Sequence, residues 1–125
     1  MKKRIYYHDT DCGGVVYYGN YLKYLEEART EFLEEKGISL KDLMDKGLWF
    51  AVRKQEIEYK APAYYGDILE IKTFLKEITS HRIVFLCETY NQNGVFLNKA
   101  QTDLVCVDKN LKLSEIPKEI SEKVK

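Results

Sequence analysis

The feature that most restricts the fold of this chain is one long helical pattern that precedes several alternating ones. Between residues 21 and 36, apolar side chains recur every three or four positions and charged side chains fill the positions between them. The apolar positions are Tyr21, Leu22, Leu25, Ala28, Phe32 and Leu33. This spacing predicts an amphipathic helix, with Asn20 as its N-cap and Gly37 as the residue that ends it.

A shorter helix is predicted immediately afterwards. Ser39 is a favoured capping residue, Asp42 places an acid in the first turn, and Gly47 is a stop signal. Near the end of the sequence, three apolar side chains share one side of a helical pattern and favour a further short turn. These side chains are Ile116, Ile120 and Val124.

After Gly47 the period of the apolar residues changes to two, which is typical of β-strands. One short strand is predicted in the β-prone segment at the start of the sequence, and four more at about residues 55–61, 69–75, 83–89 and 95–107. Asn93 and Gly94 between two alternating segments are a strong hairpin signal, so these strands should be antiparallel neighbours. One dominant helix with about five antiparallel strands predicts an α+β protein whose sheet wraps around the helix.

Length, charge and cysteine content narrow the classes of protein. The 125 residues predict a single domain over residues 1–125, because two halves would each lack an adequate core. Twenty basic and 20 acidic residues give no electrostatic case for a nucleic acid or an anionic membrane as partner, and no apolar run approaches the ~18 residues of a membrane span. Three cysteines without metal-ligand spacing, and no secretory signal pattern, predict a cytoplasmic protein.

The segment most suggestive of chemistry contains Asp9 and Asp11, among six of the ten tyrosines. As a calcium loop it fails, because Gly13 stands at the fifth position and no closing glutamate follows. As a phosphate-binding loop it lacks the Gly-Lys-Ser/Thr ending, although Gly13 and Gly14 precede a helix. Two interpretations stay open: a turn in which each aspartate binds loop amides, and a catalytic carboxylate beside the helix N-terminus, whose free amides polarise a carbonyl.

Two segments carry a resemblance to a known family. The first runs from His8 through Arg29 and contains His8-Asp9-Thr10-Asp11-Cys12-Gly13-Gly14-Val15-Val16-Tyr17. The second is Tyr59-Lys60-Ala61-Pro62-Ala63-Tyr64-Tyr65-Gly66-Asp67. Together they resemble the 4-hydroxybenzoyl-CoA thioesterase family of hotdog-fold proteins, and most of all its Tol-Pal-associated acyl-CoA thioesterase branch. The resemblance extends from Arg4 to about Asp108.

This resemblance implies a hotdog fold and hydrolysis of an acyl-CoA thioester without metal or redox cofactor. It implies Asp11 as the catalytic residue, acting as nucleophile or general base, and the backbone amide of Tyr18 as a donor to the carbonyl oxygen. Asp9 is expected to hold the loop. Members of the branch often carry histidine at the position of Tyr18, so any imidazole contribution is absent from this chain.

The resemblance also implies homodimers whose sheets join edge to edge, often paired into homotetramers. The carrier of the acyl group is free CoA or an acyl carrier protein. The alternative function is a non-catalytic module that binds acyl-CoA or an acyl carrier protein in the same pocket.

Other reactive or charged side chains receive structural interpretations. Cys12 adjoins Asp11 but has no histidine partner in the pattern, so it is expected to be a small loop residue. His8 is expected to be a surface or strand histidine. Glu26 and Arg29 are at helical spacing and predict a local ion pair.

Overall fold

The computed structural model describes all 125 residues. Two short 3-10 turns, Tyr7–Asp9 and Tyr18–Asn20, flank the loop that contains Asp11. The helices are α1 (Tyr21–Glu35), α2 (Leu40–Asp45) and α3 (Lys118–Val124). The strands are β1 (Lys2–Arg4), β2 (Leu48–Tyr59), β3 (Ile68–Ile78), β4 (Arg82–Tyr90) and β5 (Phe96–Asp108).

The five strands form one antiparallel sheet in the order β1-β3-β4-β5-β2. The hairpin predicted around Asn93 and Gly94 joins β4 to β5, and Gly94 has a positive φ of 74°. β1 and β2 are the two edges of the sheet, and α1 packs on its inner face. The prediction of an α+β hotdog fold, with about five antiparallel strands around one long helix, is confirmed.

The core follows the apolar stripe of α1. The first half of the helix places Tyr24 and Leu25 in one cluster with β3, β4 and β5 side chains, and both are at most 2% exposed. The second half places Leu33 in another cluster with Phe85 and the C-terminal helix. Full burial of a leucine contributes about 1.5–3 kcal/mol, so this stripe fixes how the helix lies across the sheet.

The sequence predicts the C-terminal end of α1 correctly and the cap at its N-terminal end incorrectly. The prediction for Gly37 is confirmed: it has a φ of 80°, its amide donates to Glu34, and the Ile38 amide donates to Leu33. The prediction that the Asn20 side chain caps the helix is wrong. Its Nδ2 instead donates to the backbone carbonyl of Asp9 at 2.8 Å, because a 3-10 turn precedes the helix and places Asn20 in helical backbone geometry.

The remaining predicted elements are present, with changed boundaries. The Ser39 side chain caps α2 by accepting the amide of Asp42, and α3 forms where the apolar pattern of the tail predicts a helical turn. β2 begins at Leu48, seven residues before the alternation becomes clear in the sequence. Its first residues lack alternation because Leu48, Trp49 and Phe50 are all half-buried.

Candidate active site

The loop that carries Asp11 is held by short β-like pairings rather than by a strand of the sheet. Thr10 and Val16 form an isolated antiparallel bridge, and the Asp11 amide donates to Val15 at 2.9 Å. The Val16 amide donates to Ala63 at 2.8 Å, which ties this loop to the segment between β2 and β3. The two segments that carry the family resemblance are therefore in direct contact.

Asp11 is exposed at the tip of this loop. Its Oδ1 accepts the amide of Gly13 at 2.8 Å, and its backbone carbonyl accepts the amide of Gly14 at 3.1 Å. The turn interpretation is therefore confirmed for Asp11. Because its Oδ2 accepts no hydrogen bond from the protein, the turn leaves one carboxylate oxygen free, and the catalytic interpretation remains compatible with it.

Asp9 has the opposite environment and is only 6% exposed. Its Oδ2 accepts the amide of Tyr6 at 2.8 Å, and its Oδ1 accepts the hydroxyl of Tyr24 at 2.7 Å. Burial alone raises the pKa of a carboxyl, but the two hydrogen bonds and the nearby Lys3 and His8 outweigh this and hold the pKa of Asp9 below its usual range. The expectation that Asp9 holds the loop is confirmed.

Tyr18 begins the 3-10 turn that leads into α1. The amide N–H groups of Tyr18 and Gly19 donate to no acceptor in the protein, whereas the neighbouring Tyr17 amide donates to Asp9 at 3.1 Å. The Tyr59 hydroxyl donates to the Tyr18 carbonyl at 3.3 Å. Two free amides at the start of a helix are suitable donors to a developing oxyanion.

Asp11 and Tyr18 make no hydrogen bond to each other, and they are connected through the Thr10–Val16 bridge. A Cβ at Gly19 would lie 2.6 Å from Cε2 of the Tyr17 ring, so this ring would have to move to make room for any larger residue there. The structure thus places both predicted site residues on one continuous, internally bonded segment.

Exposed tyrosines surround this segment. Tyr17 and Tyr18 have ring centroids 4.9 Å apart, and Tyr59 packs edge-on against Tyr18 at 6.3 Å. Tyr65 packs edge-on against Tyr7 at 5.9 Å. The sequence pattern indicates the tyrosines of the loop but does not place Tyr59 and Tyr65 there, which reach it from the second resembling segment. The only signal for them in the sequence is that resemblance.

A groove of about 230 Å³ lies between α1, α2 and β2. Its lining is mainly apolar and includes Leu40, Met44, Leu48, Trp49, Phe50 and Val52. Arg29 also lines this groove. The prediction of a local ion pair between Arg29 and Glu26 is wrong. The Arg29 guanidinium is instead buried and donates to the Thr102 hydroxyl at 3.3 Å. Burial lowers the pKa of Arg29.

His8 and Cys12 lie in the surroundings that the sequence predicts for them. His8 is mostly exposed and its ring stacks on Tyr6, as expected for a surface histidine. Cys12 is exposed and unpaired, and its sulfur makes no hydrogen bond in the protein.

No helix in the chain has the length and apolarity needed to cross a membrane.

Comparisons with known proteins agree with this architecture. The model of the thioesterase-like superfamily matches residues 6–124. YbgC of Escherichia coli, an acyl-CoA thioester hydrolase, is 42% identical over 118 residues, which are 94% of this chain and 88% of that protein. The crystal structure of a 1,4-dihydroxy-2-naphthoyl-CoA thioesterase from Synechocystis covers 99% of this chain and 93% of its own, with 26% identity and a TM-score of 0.91.

A more distant structure shows the same fold. A 4-hydroxybenzoyl-CoA thioesterase crystallised with 4-hydroxybenzoyl-CoA is 21% identical, with a TM-score of 0.91 over 100% of this chain and 96% of its own. Fold and loop together define a hotdog-fold thioesterase. The chain belongs to the thioesterase-like superfamily and is a thioester hydrolase. The resemblance to the 4-hydroxybenzoyl-CoA thioesterase family and its Tol-Pal-associated branch is confirmed.

Proposed function

We propose that this protein hydrolyses an acyl-CoA thioester to a carboxylate and free CoA, with Asp11 as the catalytic carboxylate. The observation that carries the proposal is the free Oδ2 of Asp11 on the same bonded segment as the unpaired amides of Tyr18 and Gly19. Similarity to YbgC and to the Synechocystis enzyme supports a CoA thioester as the substrate.

The reaction has two routes that use the same residues. As a nucleophile, the Asp11 carboxylate attacks the thioester carbonyl carbon, the carbon–sulfur bond breaks, and water then cleaves the resulting anhydride. As a general base, Asp11 takes a proton from water while the hydroxyl adds to the carbonyl carbon; the carbon–sulfur bond then breaks, and the proton passes to the leaving thiolate. In both routes the Tyr18 amide donates to the oxygen that becomes negative.

We propose that this chemistry uses no metal or redox cofactor. A thiolate is a good leaving group, so a placed carboxylate, an aligned water and amide donors on the carbonyl are sufficient. The three unpaired cysteines, Cys12, Cys87 and Cys106, are compatible with a reducing compartment, and we place the protein in the cytoplasm.

We further propose that the working unit is a homodimer, paired into a homotetramer. β2 is a 12-residue edge strand with one side unpaired, and such an edge is usually covered. The apolar groove with Trp49 and Val52 lies beside this edge. Pairing of two β2 strands would close the groove around an acyl chain.

The test is thiol release from a panel of short, long and aromatic acyl-CoAs. Asp11→Asn removes the charge but keeps an Oδ1 that can accept the Gly13 amide, so folding should be unchanged while turnover is lost. Asp45→Asn removes a charge from an exposed position on α2 and should retain full turnover. Full turnover in Asp11→Asn would refute the assignment of Asp11.

The alternative function predicts a different result. A non-catalytic module would bind acyl-CoA saturably and release no thiol from any substrate. If only acyl groups carried by an acyl carrier protein released thiol, the reaction would be retained and its carrier revised.

A further inference from the structure

Asp9 connects three parts of the candidate site. Its carboxylate accepts the Tyr6 amide at 2.8 Å, just after β1, and the Tyr24 hydroxyl at 2.7 Å, from the first turns of α1. Its backbone carbonyl accepts the amide of Tyr17 at 3.1 Å and the side-chain Nδ2 of Asn20 at 2.8 Å. One residue therefore links the strand, the 3-10 turn and the helix.

We infer that Asp9 and Tyr24 form a positioning pair, which fixes both the Asp11 carboxylate and the Tyr18 amide relative to α1. The inference rests on the proposed role of Asp11. Asp11 lies two residues after Asp9, and Tyr18 follows the residue whose amide Asp9 accepts. A movement of Asp9 would displace the carboxylate and the amide donor together.

Tyr24 is suited to act as the fixed reference of this pair. It is 2% exposed and packs edge-on against Tyr21, with ring centroids 5.6 Å apart. The Lys3 ammonium lies 5.2 Å from the centroid of its ring. The hydroxyl is therefore held by a rigid core side chain, and a hydrogen bond from it to an ionised carboxylate is stronger than one between neutral groups.

The electrostatic environment keeps Asp9 in the required form. The groups that face it are the Tyr24 hydroxyl from α1, Lys3 from β1, and His8 from its own turn. Because the pKa of Asp9 lies below its usual range, the carboxylate is ionised at neutral pH and accepts both hydrogen bonds at once. Asparagine has one acceptor oxygen instead of two, so it cannot accept the Tyr6 amide and the Tyr24 hydroxyl on separate oxygens.

The decisive variant is Tyr24→Phe, which removes one oxygen atom and keeps the aromatic packing. We expect kcat to fall about tenfold or more while KM changes less than about twofold, because misplaced catalytic groups lower the rate of the chemical step. The matched control is Tyr90→Phe, which removes a tyrosine hydroxyl bonded to Glu88 at 3.4 Å on β4. This control should keep the kcat of the wild type.

Asp9→Asn provides a second variant, and the double variant tests whether the residues act together. If the two residues form one unit, the double variant with Asp9→Asn and Tyr24→Phe should lose no more kcat than the single variant with the larger loss. Each variant is assayed well below its own melting temperature, so loss of folded protein does not enter kcat.

The outcomes separate this inference from the function on which it rests. If Asp11→Asn retains turnover, the assignment of Asp11 fails, whatever Tyr24 does. If turnover depends on Asp11 but Tyr24→Phe keeps the wild-type kcat, the positioning pair is refuted. A rise in KM at constant kcat in Tyr24→Phe would refute it as well, since that pattern reports lost substrate binding.

Discussion

The amide nitrogen of Gly13 lies 2.8 Å from Oδ1 of Asp11, so the loop binds one oxygen of this carboxylate and leaves the other free. The next residue, Gly14, closes the same turn with its amide on the Asp11 carbonyl at 3.1 Å. The orientation of Asp11 therefore depends on backbone geometry that only a few residue types adopt. Gly14 has a φ of 81°, in the left-handed region that favours glycine.

Gly14→Ala tests this dependence. A Cβ at Gly14 meets no atom within 4 Å, so the cost is backbone strain alone, about 1 kcal/mol of unfolding free energy. Because the strain falls on the turn that holds Asp11, thiol release should decrease as well. Gly47→Ala is the control, because its φ is similar, at 80°, and its surroundings are equally open. Gly47 lies between α2 and the first residue of β2, whereas Tyr59, at the last residue of β2, contacts the site.

Urea unfolding and thiol release should separate the two variants. Both should lose similar stability, and only Gly14→Ala should lose turnover. Equal turnover in the two variants would show that Asp11 tolerates movement of its loop.

Cys12 adjoins Asp11 and is the exposed nucleophilic side chain nearest to it in the sequence. Its sulfur has no hydrogen-bond partner and no histidine beside it that would form a thiolate pair. Cys12→Ser should therefore keep kcat/KM within about twofold of the wild type. A large loss, or an acyl group found on Cys12 by mass spectrometry, would move the nucleophile from Asp11 to this thiol.

The sequence predicts the fold well because the pattern of α1 is set by burial. Leu25 and Leu33 are core residues at helical spacing, so their period is visible without any tertiary information. The prediction of the N-cap is wrong because Asn20 is a good capping residue type, but in the structure its side-chain Nδ2 donates to the backbone carbonyl of Asp9, 11 residues earlier in the chain. A local pattern cannot show that competition.

The candidate site is predicted less completely, for the same reason. Asp11 and the amide of Tyr18 belong to one segment and are found from its motif. Tyr59 and Tyr65 join the site only through the packing of the second segment against the loop. For Arg29 the helical spacing predicts a local ion pair with Glu26, whereas its burial against Thr102 depends on where β5 lies.

Because Asp9 is buried with a lowered pKa, the free energy of unfolding should depend on pH in the acid range. Its pKa is lower in the folded protein than in the unfolded chain, so the unfolded chain binds more protons at low pH and stability rises with pH there. The contribution is fully present above the unfolded value of about 3.9 and is lost as the pH falls through the lower folded value. The free energy of unfolding of the wild type should therefore decrease as the pH falls below about 4.

Urea unfolding from about pH 6 downward measures this slope. Asp9→Asn should be less stable at pH 6 and have a shallower slope below about pH 4. Tyr24→Phe removes one of the two hydrogen bonds to the carboxylate and should be intermediate. Identical slopes in the wild type and Asp9→Asn would show that the interactions of this carboxylate do not contribute to stability.

The unpaired edge of β2 predicts self-association. Val52 lies on this strand, is 54% exposed and lines the apolar groove, so an antiparallel partner strand would cover it. Val52→Lys would place two ammonium groups at a two-fold interface, where burial of unpaired charge is costly. Sedimentation should show a dimer or tetramer for the wild type and a dissociation constant raised about tenfold or more for Val52→Lys.

Val95→Lys is the matched control, because Val95 is 45% exposed in the turn before β5, whereas Val52 pairs with Leu104 toward the other end of that strand. This variant should associate like the wild type. If the partner strand closes the groove, thiol release per protomer by Val52→Lys should increase as protein concentration is raised, although the lysine in the groove lining keeps it below the wild type. A monomeric wild type with full activity would show that one chain forms the complete active site and that the β2 edge has no role in catalysis.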